Sequence, residues 1–158
     1  MSEWKNYKYE QAKSWLEHVA KLKHAVDAAR DMKELFQSIA ENIRGIDYSK
    51  EHVSSSSDAH RLEEAICKVD EATVQWAANQ AAYVDEAIDA ARRIESLDDA
   101  IERRALLLHY VDGKTWEHVC VQMNYSWDGM MTLRKRAVEH TYDVMPLDWR
   151  DPRYSAID

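Results

Sequence analysis

Glycine and proline are almost missing from this chain, and where the five of them fall decides what it can become. The glycines are Gly45, Gly113 and Gly129, and the prolines are Pro146 and Pro152. Residues 1–44 and 46–112 therefore contain neither. Sheets need tight turns, and tight turns draw on these residues for their special backbone angles. A chain of 158 residues with so few of them is expected to be built from long helices. β-branched residues do not alternate with polar ones over any useful length, which points the same way. The fold class is therefore all-α.

The hydrophobic period shows how the helices are laid out. From about Lys8 to Arg44, Ala12, Trp15, Leu16, Val19, Leu22, Val26, Ala29, Met32, Phe36, Ile39 and Ile43 recur in steps of three and four. That is one apolar stripe on one long helix, and Gly45 is placed to end it. Residues 1–7 read as loose. A second stripe, Leu62, Ile66, Val69, Thr73, Trp76, Gln80, Tyr83, Ala87, Ala91 and Ile94, runs from about Ala59 to Glu95. Two such helices joined by a short connection form an antiparallel, coiled-coil-like hairpin over residues 8–95, with its loop at about 45–58. Ser54–Ser57 falls in that loop, where serine competes for backbone hydrogen bonds. A two-helix hairpin has little core of its own. Its stripes need a third surface, either the C-terminal part of the chain or a second copy.

From Ser96 to Val144 the pattern changes to short helices with tight breaks. Ser96 with Asp99 reads as a capping box for a helix from Leu97 to about Val111. Gly113 supplies the positive φ of a sharp exit. Thr115 caps a second helix ending near Met123, Asn124 and Tyr125 make the turn, and Ser126 caps a third helix. On that third helix Met130, Leu133, Ala137 and Val138 are spaced to face inward, towards Leu106, Val119 and Met123. Trp127, Asp128, Met131, Thr132, Lys135 and Arg136 are left outward. A short helix, a tight turn and a helix that carries Arg134-Lys135-Arg136 are the signature of a three-helix helix-turn-helix module over 96–145. Residues 146–158, bracketed by the two prolines, read as an extended tail in which Trp149 and Tyr154 are candidates for docking.

Glu102, Arg103, Leu106, Leu108 and Tyr110, then Gly113, then Glu117, His118, Val119 and Cys120, and finally Met123, Ser126, Met130, Leu133, Arg136, Ala137 and Val138 carry a resemblance. In that order they resemble the region of bacterial sigma factors that reads the promoter −35 element. Upstream, Gly45-Ile46-Asp47-Tyr48-Ser49-Lys50 with Val53 is similar to prophage-encoded, sigma-like regulators related to phage late-gene activators of the ArpU and RinA kind. The resemblance spans roughly residues 8–145. It implies a phage or prophage regulator of transcription whose partners are double-stranded DNA and RNA polymerase. The third helix would enter the major groove, and the hairpin would serve oligomerisation or polymerase contact. By the same resemblance Asp128, Met131 and Thr132 would meet bases, with Trp127 beside them. Arg134, Lys135 and Arg136 would meet phosphate, Ser126 would offer a phosphate its free N–H groups, and Arg103, Arg104 and Lys114 would add backbone contacts. Met131 and Thr132 depart from the Arg, Glu or Gln that sigma factors commonly place there. Neither makes the bidentate guanine contact that gives ~1–3 kcal/mol of discrimination.

Charge argues for help from a partner. The net charge is −8, and residues 96–145 carry 8 acidic against 6 basic residues, so the module is not basic overall. Tight binding by one isolated copy would require more phosphate neutralisation than that, and a homo-oligomer is expected. Two further readings stay open. One is a DNA-packaging recognition subunit resembling a phage small terminase. The other is a structural interaction protein whose module no longer binds DNA.

Catalysis is not expected. The seven histidines are scattered without metal-ligand spacing, no phosphate-binding glycine loop occurs, and no metal or cofactor is implied. Cys67 and Cys120 each fall at an apolar helical position and read as small buried hydrophobes in a reducing compartment. No signal peptide and no membrane-length apolar run is present, so the expected location is the cytoplasm, with no membrane partner.

Overall fold

The computed structural model describes residues 2–45 and 55–152, with side chains over 7–45 and 56–152. The protein is all-α, a long helical hairpin followed by a helix-turn-helix module. Helix α1 spans Ser2–Arg44 and α2 spans Ser55–Glu95. Then come α3 (Ala100–Leu106), extended by a π-helical turn (Leu107–Val111), α4 (Trp116–Met123), α5 (Trp127–Thr141) and a 3-10 turn at Leu147–Trp149. Two boundaries of the hairpin helices differ from the sequence reading. α1 is already helical from Ser2, and Ser55–Ser57 form the first turn of α2 rather than part of a loop. Ile46, Tyr48, Val53, Ser54 and Tyr154, to which the sequence reading assigned contacts or motifs, lie outside the described residues.

The chain groups into two compact units that do not follow its linear order. One joins residues 1–24 to 83–158, and the other is residues 25–82.

In the first unit, the start of α1 delivers Ala12, Trp15, Leu16 and Val19 to a core shared with Ala90 and Ile94 of α2. Leu106, Tyr110, Val119, Met130, Ala137, Val138 and Tyr142 complete it, all essentially without solvent exposure. Burying a large apolar side chain is worth about 1.5–3 kcal/mol, so this cluster holds the unit together. Polar groups pin its edges. The Tyr83 hydroxyl donates to the Val111 carbonyl at 2.7 Å. The Arg93 guanidinium donates to the Val144 carbonyl at 3.0 Å and pairs with Asp89 at 2.8 Å. The tail is not simply extended. Arg150 donates to the carbonyls of Tyr142 and Asp143 at the end of α5, at 2.8 and 3.0 Å. The Asp151 N–H reaches Gln11 Oε1 at 3.0 Å, and Trp149 lies 4.9 Å from the His18 ring.

The second unit is a two-helix ribbon. Asn79 donates to the Ala25 carbonyl at 3.3 Å, and the Lys33 ammonium sits 4.6 Å above the Trp76 ring. As residue numbers rise on α1 they fall on α2, so the helices are antiparallel. Among its described residues the buried apolar side chains are few and mostly small: Val26, Ala29, Ala40 and Ala65. Cys67 is exposed, and Cys120 in the first unit is only half-buried, so neither is the buried hydrophobe its position suggested. A ribbon of two helices covers only the side of each helix that faces the other, and Cys67 falls outside that side.

Among the described residues, no helix is long and apolar enough to cross a membrane. No group of three or more His, Cys, Asp or Glu is placed to hold a metal ion.

Candidate nucleic-acid interface

The geometry of the helix-turn-helix follows from local decisions at the helix ends. Asp99, not Ser96, caps α3: its carboxylate accepts from the N–H groups of Ile101 and Glu102 at 2.8 and 3.3 Å. Those two backbone bonds, helped by Arg136, hold the Asp99 carboxyl below its ordinary range. Ser96 instead turns back, its hydroxyl donating to the Arg93 carbonyl at 2.6 Å. Aspartate and serine are comparable caps; here Ser96 closes α2 and Asp99 opens α3. At the other end of this helix the backbone widens into the π-turn, closed by Asp112 N–H to Leu107 O and Lys114 N–H to Leu108 O, each 2.9 Å. Gly113 leaves it with φ +78°, beside the Lys23 side chain.

Thr115 then caps α4, its hydroxyl accepting from His118 N–H at 3.3 Å. α4 ends on Asn124 in the left-handed region, φ 56°, with Tyr125 N–H returning to Cys120 O at 2.9 Å. This is the arrangement that satisfies the last carbonyls of a helix, and asparagine tolerates it better than most residues. Ser126 caps α5, accepting from Gly129 N–H at 3.1 Å.

Met130, Leu133, Ala137 and Val138 of α5 are buried, as their spacing requires. Ser126, Trp127, Asp128, Thr132 and Lys135 are exposed, whereas Met131 is half-buried and packs against the core. Trp127 keeps 49 % of its surface open to solvent, so it is the large aromatic that α5 displays. The Thr132 hydroxyl donates to the Asp128 carbonyl at 3.0 Å, within the helix.

The three consecutive cations do not share one set of contacts. The Arg134 guanidinium lies 5.2 Å over the Trp116 ring, and Trp116 in turn stacks on His109 at 4.1 Å with an interplanar angle of 20°. Tyr110 meets both rings edge-on. This column joins α5, α4 and the π-turn. Burial depresses the His109 imidazole below its ordinary range, although its Nδ1 bonds the Lys114 carbonyl at 2.7 Å. Burial likewise pushes the Tyr110 phenol up.

Arg136 is drawn to α3. Its Nε donates to Glu102 Oε1 at 2.6 Å, and its Nη2 lies 3.5 Å from Asp99. His140 Nδ1 holds the other Glu102 oxygen at 2.8 Å. The Glu102 side chain is 2 % exposed, so a carboxylate is taken out of water and satisfied from two sides. The hydrogen bond to Glu102 raises the Arg136 pKa above its ordinary value. Lys135 is exposed.

The second-line cations are equally divided. Arg103 donates to the carbonyls of Leu97 and Asp98, bracing the α2–α3 connection. Lys114 lies 3.7 Å from Asp112, and Arg104 is exposed. Glu102 and His140 join α3 to α5, a contact that the sequence reading passed over. The signal for Glu102 was present. It sits on the same face of α3 as Ala105 and Leu106, where a lone carboxylate needs a buried partner.

No protein-family model matches the chain, and no curated protein or solved structure matches it either.

Proposed function

We propose that the protein is a sigma-like, phage-type DNA-binding regulator of transcription, with α5 as the helix that enters the major groove. One observation carries this reading. α4, the Asn124 turn and the Ser126-capped α5 form a tight helix-turn-helix whose leading exposed residues are Trp127, Asp128, Thr132 and Lys135. In this docking mode the early residues of the second helix reach base edges and later cations reach phosphate. Lys135 is the phosphate ligand of the three cations. Arg134 and Arg136 hold α5 to Trp116 and Glu102, and so set its angle rather than touching DNA first. Trp127 and Thr132 offer apolar contact to a thymine methyl, a weaker discrimination than a bidentate arginine gives.

A salt-titrated gel shift with wild type and Lys135→Ala tests the reading. Loss of one phosphate contact is expected to weaken binding evenly across duplex sequences and to lower the salt slope by about one. Unchanged affinity and slope would remove the groove assignment. A second reading, that the module docks on protein, draws on the same surface. Val121 is 81 % exposed, and the module holds 8 acidic against 6 basic residues. Absence of duplex binding at low salt would favour it.

A further inference from the structure

The unit formed by residues 25–82 leaves part of its apolar stripe uncovered. Met32, Leu35 and Ile39 are 47 %, 51 % and 40 % exposed, and with Ala28 and Ile43 they fall on one arc of α1 at 3.6 residues per turn. No charged residue interrupts that arc between Ala25 and Ile43. On its α2 side the arc opens into a groove that includes Met32, Phe36 and Ala72 and is rimmed by Lys68 and Glu71.

We infer that this face is where a second copy of the chain docks, the two α1 arcs meeting across a two-fold axis. Three observations favour that occupant. A two-fold interface must be complementary to itself, and an arc without charge meets its own image without repulsion, although the chain carries a net −8. The rim carries both signs, since Lys68 and Glu71 form an exposed 3.1 Å pair, so copies related by the axis can exchange partners there. The size also suits a dimer. Residues 25–44 of α1 run about 30 Å, and two helices side by side are about 20 Å across. The ribbon face that carries the arc and its groove is therefore at most roughly 600 Å² per copy, near the lower end of stable two-chain interfaces. Closing it would make a four-helix arrangement from two ribbons, each of which buries little more than Val26, Ala29, Ala40 and Ala65 alone.

Sedimentation equilibrium of the full chain, over about two decades of concentration, reads this directly. The wild type is expected at the mass of two chains. Leu35→Lys and Ile39→Lys each are expected to raise the dissociation constant about thirtyfold or more. Both positions are exposed in a single chain, and circular dichroism should show unchanged helix content. Oxidation of Met32, followed by mass spectrometry, needs no variant: it should slow as wild-type concentration rises through the dimerisation range. A monomeric mass throughout, a mass above two chains, a dimer that survives both variants, or Met32 oxidation independent of concentration overturns the inference.

Discussion

The two units use one pair of helices in opposite ways. In residues 1–24 with 83–158, the stripes of α1 and α2 meet a third layer, and Trp15, Leu16, Val19 and Ile94 lose nearly all contact with water. Among the described residues of 25–82 the same stripes meet only each other, and Met32, Leu35 and Ile39 stay wet. The amphipathic pattern is equally regular in both. Periodicity therefore marks which residues can be buried, while the presence of a covering layer decides which of them are.

The contrast can be broken most forcefully at one stripe position from each unit. Trp15→Ala is expected to cost about 3–5 kcal/mol, as large core truncations do, whereas Leu35→Ala on the exposed side of the ribbon should cost under about 1 kcal/mol in a single chain. Urea melts at low protein concentration check both, and equal losses would dissolve the distinction. Next in size is Asn124→Val. A branched residue forced to φ 56° should lose about 1–3 kcal/mol, whereas Asn124→Gly should be close to neutral. Gly113→Ala comes next, at about 1 kcal/mol, because a methyl group there meets the Lys23 side chain at φ +78°. A loss far larger than that in the same urea assay would mean that the turn tolerates less than its geometry suggests.

The smallest effect is a dependence on pH. His109 has its native pKa lowered by burial, so the unfolded chain binds this proton more readily than the folded one. The stability it contributes is fully present above the ordinary histidine range near 6.5 and is lost as pH falls towards the depressed native value. Comparing melts at about pH 7.5 and 5.5, His109→Gln should lose less stability on acidification than the wild type. An unaltered difference would assign the effect to other groups.

The helix-turn-helix was legible because its signals are local. Thr115, Asn124 and Ser126 act within three or four residues of themselves. Choosing between Ser96 and Asp99 was harder, since both are good caps and only the backbone path selects one. The contacts of Arg134 and Arg136 within the protein were not legible. Arg136 answers to Glu102, which is 34 positions away, and Arg134 to Trp116, and no window along the chain holds both partners. The π-turn was hidden as well. Its last carbonyl is held by Tyr83 from α2, so the extra backbone width is supported from outside the segment that contains it. Cys67 shows the opposite error, an apolar register position with nothing to cover it.

The union of residues 1–24 with 83–158 has a consequence for synthesis on the ribosome. Trp15, Leu16 and Val19 are translated well before Leu106, Met130, Val138 and Tyr142, which shelter them. At about 5–20 residues per second, this stretch of α1 waits several seconds with its greasiest flank uncovered. It stays open to chaperones until Tyr142 and Met145 arrive to close over it.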